Sequence, residues 1–468
     1  MNREKRVIVV SNRLPITVQA GESGPKLEHS SGGLVTALRP VLRQYSGYWI
    51  GWTGTERTEE IDRLFDNRVC DNYELVPLYL NAQERNNFYL GFSNEILWPL
   101  FHDLQSRCNF NPAYWKSYIE VNDKFADSLL EVAGLHDFVW VQDYHLMLVA
   151  DSARKLGANL ELAYFHHIPF PSPDIFEKLP WRTQILRGLL QYNLLGFQTR
   201  RDRKNFEACV KLFVPDAIIS KAGYRTCVKV EGSYSLLGDF PIGIDFREFA
   251  AGTRVPEVVE HADQLKQDVS GCSILLGVDR LDYTKGIPER LRAFRTLLES
   301  HADLRGKITL VQIVVPSRCD IPKYRDLKSD IERLVSGING KFGSPGWVPI
   351  HYIHRNLDRN ELLAYYLAAD IALVTPLKDG MNLVCKEYCA ARADESGVLI
   401  LSEFAGAASQ LGDNALLVNP NDIERVGQVI QDALGMSPLE QQRRMRSMRT
   451  IIEQEDVYRW ANRFFFEG

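Results

Sequence analysis

The sequence predicts an α/β protein built on two doubly wound parallel sheets, and three observations predict it. Short, continuously apolar runs alternate with segments of helical period along the chain. The runs are apolar on both faces, as in parallel strands covered by helices, rather than alternating as in a half-solvated sheet. Pro and Gly break the period near Pro241-Ile242-Gly243-Ile244-Asp245, where a domain junction is expected.

In the first half, strands are expected over 7–11, 48–51, 74–79, 138–142, 162–167 and 194–198, with helices between several of them, such as 122–132 and 147–156. Each run is rich in Val, Ile, Leu or aromatic residues and stops at a polar or Gly position. The second half is more regular. Its strands are expected over 273–278, 308–315, 348–352, 371–375 and 397–401, and 288–300, 324–336, 360–369 and 383–391 read as amphipathic helices. The domains expected are therefore 1–243 and 244–450, with a last helix over 451–468 packing back on the first. Doubly wound sheets bind ligands at the carboxyl ends of their strands, so two facing sheets would form a cleft lined by loops of both.

Composition narrows the function. The chain has 468 residues, 45% hydrophobic and 25% charged, an ordinary globular mixture that excludes a disordered, collagen-like or disulfide-stapled chain. Lys and Arg number 55 against 60 Asp and Glu, a formal charge of -5, so there is no global pull toward nucleic acid or anionic lipid. An anionic ligand must be held by a local cluster of cations. The apolar run at 7–10 is too short for a signal or a membrane span, and the sequence reads as cytoplasmic. The eight cysteines are scattered without a CxxC pair; Cys385 and Cys389 share a helix face, but no further ligand accompanies them, so packed thiols are expected and no metal site. A dinucleotide GxGxxG and a GxxxxGK[ST] loop are both missing, which counts against a dehydrogenase and a P-loop NTPase.

Candidate functional residues cluster at strand ends. Arg13 lies in Ser11-Asn12-Arg13-Leu14-Pro15, directly after the first strand, and Ser30-Ser31-Gly32-Gly33 follows; a Gly pair opening a helix exposes amides that suit phosphate. Arg280 and Lys285 follow the 273–278 run and can converge on one anion, with Arg318 after the next strand. In 375–387 a strand ends in a Gly-containing turn and a helix begins. The amides of Met381, Asn382 and Leu383 would face a diphosphate or sugar, while Asp379 and Glu387 can accept hydroxyl groups. His166 and His167 end another strand and point to opposite faces, so His167 alone is expected to face the site and a metal pair is disfavoured.

These residues carry a resemblance. SNRLP, SSGGL, FSNEILWP, DYHL, HIPFP, PIGID, RLDYTKG, PSR and DGMNLVCKE occur in the order and spacing of the α,α-trehalose-6-phosphate synthases, from about residue 6 to residue 465. Those are retaining glycosyltransferases of family 20 with the GT-B fold, two Rossmann-like domains facing across a cleft. The resemblance implies a glucosyltransferase taking UDP-glucose or a related donor and glucose 6-phosphate, without a cofactor or metal. On that resemblance Gly33, Arg280, Lys285, Asp379, Met381, Asn382, Leu383 and Glu387 serve the donor. Arg13, Tyr89, Trp98, Asp143 and Arg318 serve the acceptor, and His167 joins Arg280 and Lys285 at the transferring sugar. The implied partners are the two small molecules, with no nucleic acid and no membrane; a homo-oligomer is allowed.

Four positions depart from the family pattern: Gln142 where many relatives have His, His166 where an apolar residue is usual, Cys319 after Arg318 where Gly is frequent, and Asp103 in place of an aromatic. Cys319 is placed to make activity thiol-sensitive. The rival readings are a glucosylglycerol-phosphate or validoxylamine-type synthase of the same family, and a non-catalytic sugar-phosphate sensor. A sensor would be expected to lose donor residues, yet Arg280, Lys285, Asp379 and Glu387 are present.

Overall fold

Val7–Arg13 and Ser273–Arg280 are the central strands around which two separate sheets are built, each apolar enough to be buried on both faces. The computed structural model describes residues 6–21, 24–29, 33–43, 45–65, 69–70, 72–222, 225–269, 271–318 and 321–467. The chain divides into two compact units, Met1–Pro241 with Trp460–Gly468, and Ile242–Arg459.

The first unit carries a ten-stranded sheet. Its parallel core runs Ser233–Asp239, Leu194–Phe197, Glu161–His166, Phe138–Gln142, Val7–Arg13, Gly47–Trp52 and Tyr73–Leu78. Antiparallel strands close both edges, Ile218–Ala222 with Arg225–Val230 at one and Val69–Cys70 at the other. The continuous apolar runs mark six of the seven parallel strands; Ser233–Asp239 and the edge strands are not among them, because Ser233–Asp239 mixes buried and open positions and short edge strands lack the continuous apolar run of a doubly covered strand. From Val7–Arg13 the chain first builds outward to Gly47–Trp52 and Tyr73–Leu78, then returns to the other side of Val7–Arg13 with Phe138–Gln142. That reversal is a topological switch point.

Trp140 anchors the core of this unit. Its ring packs on Trp460, Phe464 and Phe465 at 5.0, 4.9 and 4.9 Å between centroids. Gly196 makes that packing fit, since a Cβ there would lie 2.6 Å from the Phe464 ring. The helix Val457–Glu467 therefore straddles the division of the chain, and its part from Trp460 onward belongs to the first unit.

The second unit holds six parallel strands in the order Ile350–Ile353, Ile308–Val315, Ser273–Arg280, Ile371–Val374, Val398–Ser402 and Leu416–Val418. Its switch point lies between Ser273–Arg280 and Ile371–Val374. Leu275, Leu310, Leu373 and Ile400 of the sheet pack with Leu291, Phe294, Ile331 and Ile430 of the covering helices. The stretch 451–459 stays with this unit, whereas the sequence reading assigned it to the returning segment. The reason is close backbone packing: a Cβ on Gly243 would lie 2.4 Å from the Glu455 carbonyl, and the Val457 amide donates to Ile244 O at 3.1 Å. The buried Lys386 ammonium donates to Ile242 O at 2.6 Å and Gln410 Oε1 at 2.7 Å, holding the first residue of this unit.

Among the described residues no helix is long and apolar enough to cross a membrane, and no group of three or more His, Cys, Asp and Glu has metal-binding geometry.

Candidate active site

Both clusters of candidate residues sit at the carboxyl ends of strands flanking a switch point, one in each unit. In the first unit Arg13 ends Val7–Arg13 and Asp143 follows Phe138–Gln142. The Arg13 guanidinium lies over the Trp52 ring at 4.6 Å, and burial lowers its pKa. Gly54, at φ +91°, makes room for it, since a Cβ would come within 2.1 Å of Nη1. Trp52 meets Tyr89 at 5.6 Å, and Tyr89 stacks on His145 at 6.0 Å. Tyr89 is carried by the π-helix Arg85–Leu97, a wide winding that recurs at functional sites, and its carbonyl accepts from Asn94 Nδ2 at 2.6 Å. Trp98 is only 5% exposed and packs on His102 and Tyr144. Gly33 opens the helix Gly33–Leu42; Ser30, Ser31 and Gly32 lie outside the described residues.

Asp143 has φ 71° and ψ 170°, a conformation nearly confined to glycine. Its amide donates to Phe165 O at 2.8 Å, and its Oδ1 accepts the His167 amide at 3.2 Å. The His167 ring donates from Nε2 to Gln142 Oε1 at 2.8 Å and accepts at Nδ1 from Gln198 Nε2 at 3.4 Å. Both bonds require the neutral Nε2–H tautomer. Burial, reinforced by His166, pushes its pKa down to about 3, so near neutrality the ring is a neutral imidazole and not an imidazolium acid. His166 faces the other way, into Phe101 and Phe170, and burial holds it neutral also.

In the second unit Arg280 ends its strand exposed, with no hydrogen bond to a described residue. Lys285 reaches across 94 residues to donate to Asp379 Oδ2 at 2.6 Å. Gly286, at φ +65°, lets the chain turn there: a Cβ would meet the Thr375 carbonyl at 2.4 Å. Asn382 donates to Asp379 Oδ2 at 3.1 Å and caps the helix Leu383–Ala391 through Cys385 N. The turn carrying Asp379 and Met381 is clamped from behind by Gly406 N on Asp379 O and Ala407 N on Met381 O. The Glu387 carboxylate accepts from Tyr366 OH at 2.8 Å, and burial raises its pKa.

Arg318 is tied down within the second unit. Its Nη1 donates to Asp282 Oδ2 at 3.2 Å and Tyr324 OH at 2.6 Å, leaving the side chain 8% exposed. Burial would raise the Asp282 pKa, but Arg318, Lys285 and Arg280 pull it below its ordinary value. Asp282 and Asp379 thus offset much of the charge of these three cations, and Arg280 alone ends exposed. Cys319 lies outside the described residues.

Strain marks the site. Asp143, Arg318 and Asn382 are all non-glycine residues at positive φ, a conformation that persists only where the surroundings enforce it. Residues missed from sequence include Trp52, Gly54, Tyr324 and above all Arg290. Fully buried, Arg290 donates to Asp279 Oδ2 at 2.5 Å, Gln312 Oε1 at 3.0 Å and Thr375 Oγ1 at 3.0 Å. It ties three neighbouring strands together behind Lys285. Gly277 leaves space for it, since a Cβ would lie 2.5 Å from Nη1.

Two doubly wound units, with cations and helix-end amides at a switch point in the second and a strained Asp–His pair in the first, define a nucleotide-sugar glycosyltransferase of the GT-B type. The chain belongs to glycosyltransferase family 20, whose sequence profile matches residues 5–467. It is 43% identical over 468 residues to a trehalose-6-phosphate synthase of Mycobacterium avium, covering 98% of this chain and 94% of the relative. The Mycobacterium leprae counterpart is 42% identical over 469 residues, at 98% and 93% coverage. Among solved structures, an Escherichia coli protein bound with UDP-2-fluoro glucose superposes with a TM-score of 0.90 at 36% identity, covering 99% of this chain and 98% of that one. A Burkholderia xenovorans α,α-trehalose-phosphate synthase in complex with glucose 6-phosphate gives 0.89 at 32% identity, with 99% of each chain covered.

Proposed function

We propose that the protein transfers glucose from UDP-glucose, or a related nucleoside diphosphate glucose, to glucose 6-phosphate, releasing UDP and α,α-trehalose 6-phosphate with retention at the anomeric carbon. The observation that carries this is the second unit's switch point: exposed Arg280, the Lys285–Asp379 pair and the start of the helix Leu383–Ala391. Relatives sharing this architecture bind a UDP-glucose analogue and glucose 6-phosphate.

Breaking a sugar–diphosphate bond builds negative charge on the departing UDP and oxocarbenium character on the sugar. Arg280, Lys285 and the amides of Met381, Asn382 and Leu383 stabilise the first charge, and no step calls on a metal. Asp379 holds glucose hydroxyls and Glu387 the ribose. Gly33 supplies an amide to the diphosphate. Arg13 and Arg318 hold the acceptor phosphate, with Tyr89, Trp98 and Asp143 around its sugar. The neutral His167 positions the transferring glucose rather than donating a proton, so the departing phosphate oxygen takes the acceptor proton in a front-face transfer. The seven described cysteines are not joined in disulfides, as suits a reducing compartment such as the cytoplasm.

The test is incubation with UDP-glucose and either glucose 6-phosphate or glycerol 3-phosphate, following UDP release and identifying the product. Turnover with glucose 6-phosphate and loss of it in Arg280→Ala are expected; a lost charged hydrogen bond to phosphate weakens binding by roughly 10- to 150-fold. Turnover only with glycerol 3-phosphate would assign the other synthase activity, and none with either would leave a sensor.

A further inference from the structure

Lys386 is a buried ammonium to which the transfer assigns no part. It sits one turn into the helix Leu383–Ala391, whose first residues are assigned to the donor, and it is 1% exposed. Its Nζ divides its bonds between two segments remote in sequence: Ile242 O, 144 residues away, at 2.6 Å and Gln410 Oε1 at 2.7 Å. A methionine would fill the same space without desolvating a charge, and that desolvation has pushed the lysine pKa down to about 8. What distinguishes the ammonium from a filler is the pair of segments it joins.

On one side lies the turn carrying Asp379 and Met381. Gly406 N and Ala407 N hold it from behind, donating to Asp379 O at 3.0 Å and Met381 O at 2.9 Å. The short helix Ala408–Leu411 begins at the next residue and carries Gln410. On the other side lies the point where the chain enters the second unit, since Ile242 is its first residue. This entry is bound in turn to the last stretch of the unit. A Cβ on Gly243 would lie 2.3 Å from Asp456 C, Ile244 O accepts the Val457 amide at 3.1 Å, and Asp245 Oδ2 accepts from Tyr458 OH at 2.8 Å. A continuous path of hydrogen bonds and one short helix thus runs from the donor turn through Lys386 to the stretches where the chain enters and leaves, all of it within the second unit. We propose that Lys386 is a positioning residue that couples the donor turn to these two stretches, so that each holds the other in place. Its bearing on donor binding rests on the transferase reading; the mechanical link does not.

The test is amide hydrogen exchange of the full chain, read at Gly406 and Ala407 behind the donor turn and at Val457 beside the entry. Tyr458→Phe removes the bond to Asp245 and loosens the entry alone. In the wild-type background it should speed exchange at Gly406 and Ala407 by about 3-fold or more, and in K386M by less than about 1.5-fold. Q410L cuts the path at a partly exposed residue and keeps the Lys386 bond to Ile242. It should uncouple the two ends in the same way, and it carries the test should K386M fail to fold. Coupling is reciprocal, so UDP in excess should slow exchange at Val457 by about 3-fold or more in the wild type and in neither uncoupled variant. A role in stability alone predicts faster exchange throughout the unit, the strand Val398–Ser402 included, with the Tyr458→Phe effect undiminished. That result, or no response of Gly406 and Ala407 to Tyr458→Phe in the wild type, overturns the proposal. UDP bound without slowing at Val457 overturns the link to the donor alone. Absent UDP binding would instead count against the transferase reading, with the coupling still judged by the ligand-free comparison.

Discussion

Replacing Arg290 by Met tests how the donor half is held together. The side chain has no exposed surface, and its partner Asp279 is 3% exposed. Met keeps much of the length but leaves the Asp279 carboxylate buried without its cation. Breaking a buried pair in this way costs about 3–5 kcal/mol. Orphaning Gln312 Oε1 and Thr375 Oγ1 adds about 1 kcal/mol each, so about 5–7 kcal/mol is expected. Urea unfolding should show a lower midpoint at unchanged slope. Arg290→Met with Asp279→Leu should recover much of the loss, because a buried pair replaced as a whole is often near neutral. Arg290 Nη2 also approaches Lys285 O at 3.4 Å, so both variants should lose donor affinity even where stability returns. A loss below about 1 kcal/mol in the single variant, or a double variant no more stable than the single, would refute the pair's role.

Gly286→Ala forces a left-handed residue against the Thr375 carbonyl, so at least about 1 kcal/mol of stability should be lost and the donor KM should rise; an unchanged thermal midpoint would contradict this. His166 and His167 are held neutral with pKa values of about 3, below the unfolded 6.5, so their contribution is present above pH 6.5 and lost as pH falls toward 3. The kcat/KM profile should then show no inflection near pH 6.5 that His167→Asn removes. Lys386 titrates near 8 in the fold against 10.5 when exposed, so the unfolded chain binds more protons between those values and stability should rise with pH there. Lys386→Met should flatten that rise, on the order of 3 kcal/mol in all; an equal slope in both proteins would show that Lys386 does not titrate in this window.

Strand ends were legible in the sequence because parallel strands are continuous apolar runs that stop at polar residues. Arg13, Arg280 and Asp379 could be singled out in that way. The partnerships among them were not legible. Lys285 meets Asp379 because their strands are neighbours at a switch point, a fact of topology that local sequence does not contain. Arg290 looks like any charged residue on an amphipathic helix, and only the missing side chain at Gly277 hints at the space it fills. The tautomer of His167 depends on Gln142 and Gln198, brought to it from two other strand ends. The conformation of Asp143 is imposed by tertiary contacts, since a short acidic residue at a strand end has no local reason to adopt it.

The aromatic clasp of Trp140 with Trp460, Phe464 and Phe465 has a consequence for the order of synthesis. The residues that complete the first unit's core emerge from the ribosome after the whole second unit has been made. Until then the surface around Trp140 and Gly196 lacks its cover. The first unit, although translated first, is the one whose folding finishes last.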